Sequence, residues 1–124
     1  HGREHSFPTR RSSDLLGARP HAARLLVREA MDWGPVMKDG LGRQMNEVLQ
    51  VGVTFVREGQ REGAFDPDVD AMHFVVSHMG LSFMAFALGE VVERLSGTSP
   101  FSPAFVEARK RAVTEQTRRM VAKR

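Results

Sequence analysis

Between Asp70 and Glu90 the chain runs for 19 residues without a formal charge, AMHFVVSHMGLSFMAFALG. A helix that apolar has to be hidden from water around most of its circumference, either inside a protein or inside a bilayer. Its length just reaches that of a spanning helix, about 20 residues. Its contents favour the protein interior. Ser77, Ser82, His73, His78 and two glycines dilute the stretch, acids flank it on both sides, and neither a Lys/Arg cluster nor a Trp/Tyr belt brackets it. The expectation is the buried helix of a soluble domain.

The signals around this stretch predict one long helix over 67–96. Asp66-Pro67-Asp68 reads as its start, with an Asp cap, Pro at the first position and a second acid near the positive end; Gly97 and Ser99-Pro100 stop it. One apolar row holds Met72, Val76, Met79, Phe83 and Phe86. A second holds Phe74, Leu81, Leu88 and Leu95 at intervals of seven. Two apolar rows need two covering surfaces, and in so small a domain the second is most simply another copy of the chain. Gly80, Ser82, Ala85, Ala87 and Gly89 keep the helix slim enough for close approach.

Three further helices are predicted. The first runs over 20–33, with Pro20 suited to an opening position and Ala22, Leu25, Leu26, Ala30 and Trp33 at spacings of three and four; Gly34-Pro35 breaks it before a short turn at Val36-Met37. The second runs over 41–62, where Leu41, Met45, Val48, Leu49, Gly52, Phe55 and Val56 trace one face and Gly63 is a left-handed stop. The last starts at Ser102-Pro103 and repeats Val106, Val113 and Met120 at sevens. With no convincing strand the fold class is all-α, a bundle of about four helices. Its last two long helices form an antiparallel hairpin, and two hairpins pack as an intermolecular four-helix bundle. The expected homodimer interface is Phe74, Leu81, Leu88, Leu95, Val106, Val113 and Met120.

Residues 1–15 stand apart. HSFPTRRSSDL, His5 to Leu15, has no pattern that could bury a face, and read back into codons it looks like one frame of a sequencing-library adapter. We expect a non-native, disordered tail at 1–15 and one domain at 16–124. Without the tail, 109 of 124 residues remain, Lys plus Arg falls from 18 to 15 and Asp plus Glu from 15 to 13, so the net charge is +2. That balance does not by itself imply nucleic-acid binding. The absence of Cys excludes a disulfide scaffold and a thiolate metal site and is compatible with a cytoplasmic location.

The polar residues yield little chemistry. Asp66, Asp68 and Asp70 alternate like the acids of a calcium loop, but Ala71 and Ser77 stand where that loop needs Gly and Glu. His73 and His78 are five apart, so on a helix they point about 140° away from each other and cannot share a metal. No nucleophile elbow, phosphate loop or carboxylate pair stands out, so no catalytic residue, cofactor or metal is expected. Arg109-Lys110-Arg111 and Arg118-Arg119 make the last helix basic, but Glu107 and Glu115 interrupt it and nothing resembles a turn feeding a recognition helix. No DNA-binding residue is assigned.

Seven Met and eight Phe remain. Met is deformable and polarizable, so Met31, Met37, Met45, Met72 and Met79, with Trp33, Phe55, Val76 and Phe83, are candidates to line a pocket for an apolar or aromatic molecule. Spacing alone leaves open that all of them are ordinary core, in a helical homodimerisation module without a small ligand.

The segment ARPHAARLLVREAMDWGP, followed by FVREGQREGAFDPDVDAMHFVVSHMGL, resembles the C-terminal regulatory domain of TetR-type transcriptional repressors. The matching phrases are Pro20 through Glu29 and Arg57 through Asp70, and the likeness spans residues 18 to about 122. The resemblance implies a helical domain that binds a small hydrophobic effector between its first three helices and dimerises through its last two. It also implies a preceding helix-turn-helix domain as the only contact to DNA, expected to be absent from this fragment.

Overall fold

In the computed structural model, residues 17–19 and 21–124 are described; the tail at 1–15 and the opening role of Pro20 lie outside the described residues. From residue 21 onward the described residues form α1 (Ala22–Asp32), α2 (Gly42–Arg61), α3 (Ala71–Ala87), α4 (Gly89–Ser96) and α5 (Pro103–Val121). A π-helical turn, Met37–Leu41, leads into α2. No strand occurs among the described residues, and the fold is all-α.

Local chemistry sets the boundaries. The α1 helix stops at Trp33, which takes a left-handed conformation at φ 46 and ψ 54. Glu29 then folds back, and its Oε2 accepts hydrogen bonds from the backbone N–H of Val36 at 2.8 Å and Met37 at 3.2 Å. A carboxylate there satisfies the first free donors of the next helical segment and meets its positive end. Helix α2 gives way at Gly63, φ 81. Ser102 caps α5 by accepting from the Phe105 N–H, with Pro103 in the first turn.

Two sequence expectations need correction. The third helix begins at Ala71, not Pro67, because Asp66 is committed elsewhere. Its Oδ1 accepts from the Asp68 N–H at 2.9 Å, and its own N–H donates to the Val121 carbonyl at 2.9 Å. Gln60 Nε2 donates to the carbonyls of Asp66 at 3.0 Å and Val69 at 2.7 Å, stapling residues 62–70 as a loop. Asp70 is the cap instead, accepting from the His73 N–H at 2.9 Å.

The helix is also not continuous to Ser96. It breaks at Leu88, φ −100 and ψ 39, and α4 leaves α3 at 78°. Gly89 sits against the Pro100-Phe101 turn, so that an added Cβ would stand 3.1 Å from Phe101 Cε2 and 3.4 Å from Pro100 Cγ. The bend seats the Phe101 ring 5.9 Å from that of Phe86. The hairpin of α3 and α5 is therefore joined by a short third helix rather than a simple loop. No single helix among the described residues is long and apolar enough to cross a membrane; only α3 and α4 together, across their bend, reach that length and composition.

The interior falls into two clusters strung along α3. One gathers Val53, Val56, Phe65, Phe74, Val75 and Val121; the other gathers Ala23, Phe86 and Val106, with Phe83 and Phe101 against it. Phe65 lies so close over Gly59 that any Cβ there would overlap its ring. Helix α5 buries one stripe, Val106, Lys110, Val113, Thr117 and Val121, at the three-and-four spacing of a helix with one inward face. The two clusters do not merge into one, and the functional candidate lies along the span of α3 between them.

Candidate functional site

Along that span an apolar groove of about 350 Å³ runs between α2 and α3. Leu41, at the end of the π-helical turn, and Met45, Val48, Leu49 and Gly52 from α2 line one wall, with Gln44 as its polar member. Val75, His78, Met79, Ser82 and Phe83 line the other, and Leu26 of α1 completes it. At Gly52 the helices come close, so that an added Cβ would stand 3.3 Å from Val75 Cγ2. The groove stays open to water along Val48, which is 68% exposed.

Its polar floor comes from α3. Ser82 and His78 are one turn apart and so share a face. His78 Nδ1 lies 3.1 Å from Thr117 Oγ1 in a hydrogen bond that links the groove wall to α5, and the imidazole stacks on Phe74 with ring centroids 6.3 Å apart. Burial pushes the His78 pKa below its ordinary 6.5, favouring the neutral ring. Ser82 is 3% exposed, and its Oγ has no hydrogen-bond partner among the described residues. No Asp, Glu, Lys or Arg lines the groove.

Of the expected pocket residues, the structure brings Met45, Met79 and Phe83 together here. Met37 is buried in the π-helical turn, and Phe55 packs beside Phe65 with ring centroids 5.7 Å apart. Met31, Trp33, Met72 and Val76 are exposed and do not line the groove; Met31, at 79%, projects furthest. The lining residues not named from sequence were within reach of periodicity. Leu41, Met45, Val48, Leu49 and Gly52 are the face already legible in α2, and Val75, Met79 and Ser82 repeat at the same spacing in α3.

The expected dimer residues separate into two groups, which corrects the single heptad face. Phe74, Val106 and Val113 are buried inside the chain's own core, whereas Leu88 and Leu95 are exposed, Leu95 at 87%, and Met120 only marginally so. Leu81 is half-buried, and its carbonyl accepts from Arg109 Nη2 at 2.9 Å. Phe74 faces the core cluster with Val53 and Val56, and Val106 and Val113 belong to the inward stripe of α5; beyond Leu88 the 78° bend carries Leu95 onto a different axis. On the exposed side Met84, Leu88, Val91 and Leu95 remain uncovered.

Among the described residues no group of three or more His, Asp or Glu side chains could hold a metal ion. Three of the five cations of α5 pair with its two acids. Arg118 and Arg119 reach Glu115 at 3.1 and 3.2 Å, and Lys110 reaches Glu107 at 2.7 Å. Burial pushes the Arg109 pKa below its ordinary value.

Compared with known proteins, the chain matches no curated protein and no solved structure. It does match the tetracyclin repressor-like C-terminal domain over residues 9–116, beginning inside the segment that looks foreign and running through most of α5. An all-α bundle matched over most of its length in this way belongs to the TetR-like C-terminal domain family.

Proposed function

We propose that this chain is the effector-sensing and dimerising domain of a TetR-type transcriptional repressor, working in the cytoplasm. Residues 16–124 form the domain, and DNA is contacted only through a helix-turn-helix domain. The observation that carries the reading is the groove between α2 and α3, apolar, uncharged and open on one side. Its volume of about 350 Å³ lies at the lower end of the 300–1,000 Å³ typical of ligand pockets. A small hydrophobic or aromatic molecule seated there would press on Met45, Met79 and Phe83 and change how α2 lies against α3.

Helix α3 supplies the link to a partner subunit. Its inner side forms a wall of the groove, and its outer side leads through Met84 and Leu88 into the exposed apolar residues Val91 and Leu95 of α4. A ligand preferring one placement of α3 would therefore bias the pairing of two copies, and with it the spacing of the DNA-reading heads.

A thermal-shift screen with lipophilic and aromatic compounds tests the groove. A ligand at about 100 times its Kd stabilises by roughly 2.7 kcal/mol, and no shift across the screen would leave only a helical interaction module. Sedimentation tests the pairing. Leu88→Lys with Leu95→Lys is expected to convert dimers to monomers, and an unchanged dimer would remove this face from the account.

A further inference from the structure

The groove is apolar but not uniformly so, and its polar members define what it can hold. We infer that its ligand is an uncharged, largely apolar molecule carrying one hydrogen-bonding group, a hydroxyl or a carbonyl, and that Ser82 reads that group. The inference rests on the reading of the groove as the effector site.

Three observations carry it. First, no Asp, Glu, Lys or Arg lines the groove, and its one titratable member, His78, is buried and favours the neutral ring, so a charged ligand would give up its hydration with no countercharge in return. Second, Ser82 is almost wholly buried in the groove wall and its hydroxyl has no partner among the described residues. A helical Ser ordinarily satisfies itself on the carbonyl one turn back. Left unpaired, the Ser82 hydroxyl is a standing cost that a ligand can remove, and Ser82 is one of the residues that line the groove. Third, His78 is already engaged through Nδ1 with Thr117 and stacked on Phe74, which holds its ring as a fixed neutral wall beside Ser82. A wholly apolar ligand would fill the groove and leave the hydroxyl unpaired. One polar group on an apolar body satisfies both.

The test uses the full chain and four probes on one ring system: naphthalene, 2-naphthol, 2-naphthoate and 2-naphthylmethylammonium, with Kd measured by calorimetric titration. 2-Naphthol is expected to bind most tightly, about 2- to 10-fold better than naphthalene, as one net hydrogen bond would give. In Ser82→Ala that margin is expected to vanish while the naphthalene Kd stays as it was. Preference for naphthoate or the ammonium, equal binding of naphthalene and 2-naphthol by the wild type, or a naphthol margin that survives Ser82→Ala would overturn the inference and leave the effector site standing. If Ser82→Ala does not fold, Ser82→Cys, whose thiol is a weak donor at the same place, is expected to shrink the margin likewise, and an undiminished margin there would overturn the assignment. Failure of both naphthalene and 2-naphthol to bind would overturn the effector reading together with it.

Discussion

Phe74 and Met79 stand five residues apart on α3, yet one is sealed and the other borders a groove. Around Phe74, α2 presents Val53 and Val56, the stapled loop brings the Phe65 ring down over Gly59, and Val121 closes the layer from α5. Around Met79, α2 presents Met45, Val48 and Leu49, side chains as apolar as those opposite Phe74, but Val48 remains open to water. The difference lies in what arrives from elsewhere in the chain. A ring delivered by a loop turns two facing helices into core, and where none arrives the same helices leave a groove.

Truncating each residue sharpens the contrast. Phe74→Ala is expected to cost about 3–5 kcal/mol in urea unfolding, because the surrounding cluster can only partly collapse into the space. Met79→Ala, with the groove beside it already, is expected to cost less than about 2 kcal/mol, below the usual range for a sealed Met. Equal losses at the two sites would show that the groove is as tightly packed as the core.

The next effect is smaller and depends on pH. Burial holds the His78 pKa in the folded chain below 6.5, whereas the unfolded chain restores the ordinary value. Between those two values the unfolded state binds the extra proton, so stability rises with pH across that window. This contribution is complete above 6.5 and is lost as the pH falls through the window beneath it. Denaturation followed from pH 7 downward is expected to show a loss that His78→Gln lacks; parallel profiles for the two proteins would contradict a buried neutral ring at the groove floor.

Much of the fold was legible before any coordinates, and the reasons are local. The caps at Ser102-Pro103, the stop at Gly63 and the one-faced row from Leu41 to Val56 each depend on neighbours within a turn or two. The bend at Leu88 was not legible, and the residues packed against it, Pro100 and Phe101, come from beyond α4. Nor was the loop at Asp66, whose N–H is tied to Val121 at the far end of the chain. The groove was half legible. Choosing by residue type selected Met31, Trp33, Met72 and Val76, which are exposed, whereas choosing by face would have kept Leu49, Gly52 and Val75 beside Met45 and Met79. A side chain's direction is inherited from its helix, and its chemistry says nothing about where that helix points.

The central claim is that the uncovered stretch between α2 and α3 is a ligand site rather than loose packing. The most direct measurement is the melting temperature of the wild type and of Met79→Trp, which fills the groove, with and without a saturating lipophilic aromatic such as 2-naphthol. The account predicts a rise of several degrees in the wild type, since each kcal/mol is worth about 4–8 °C in a domain of this size, and none in the filled variant. An equal rise in both proteins, or none in either, would contradict it.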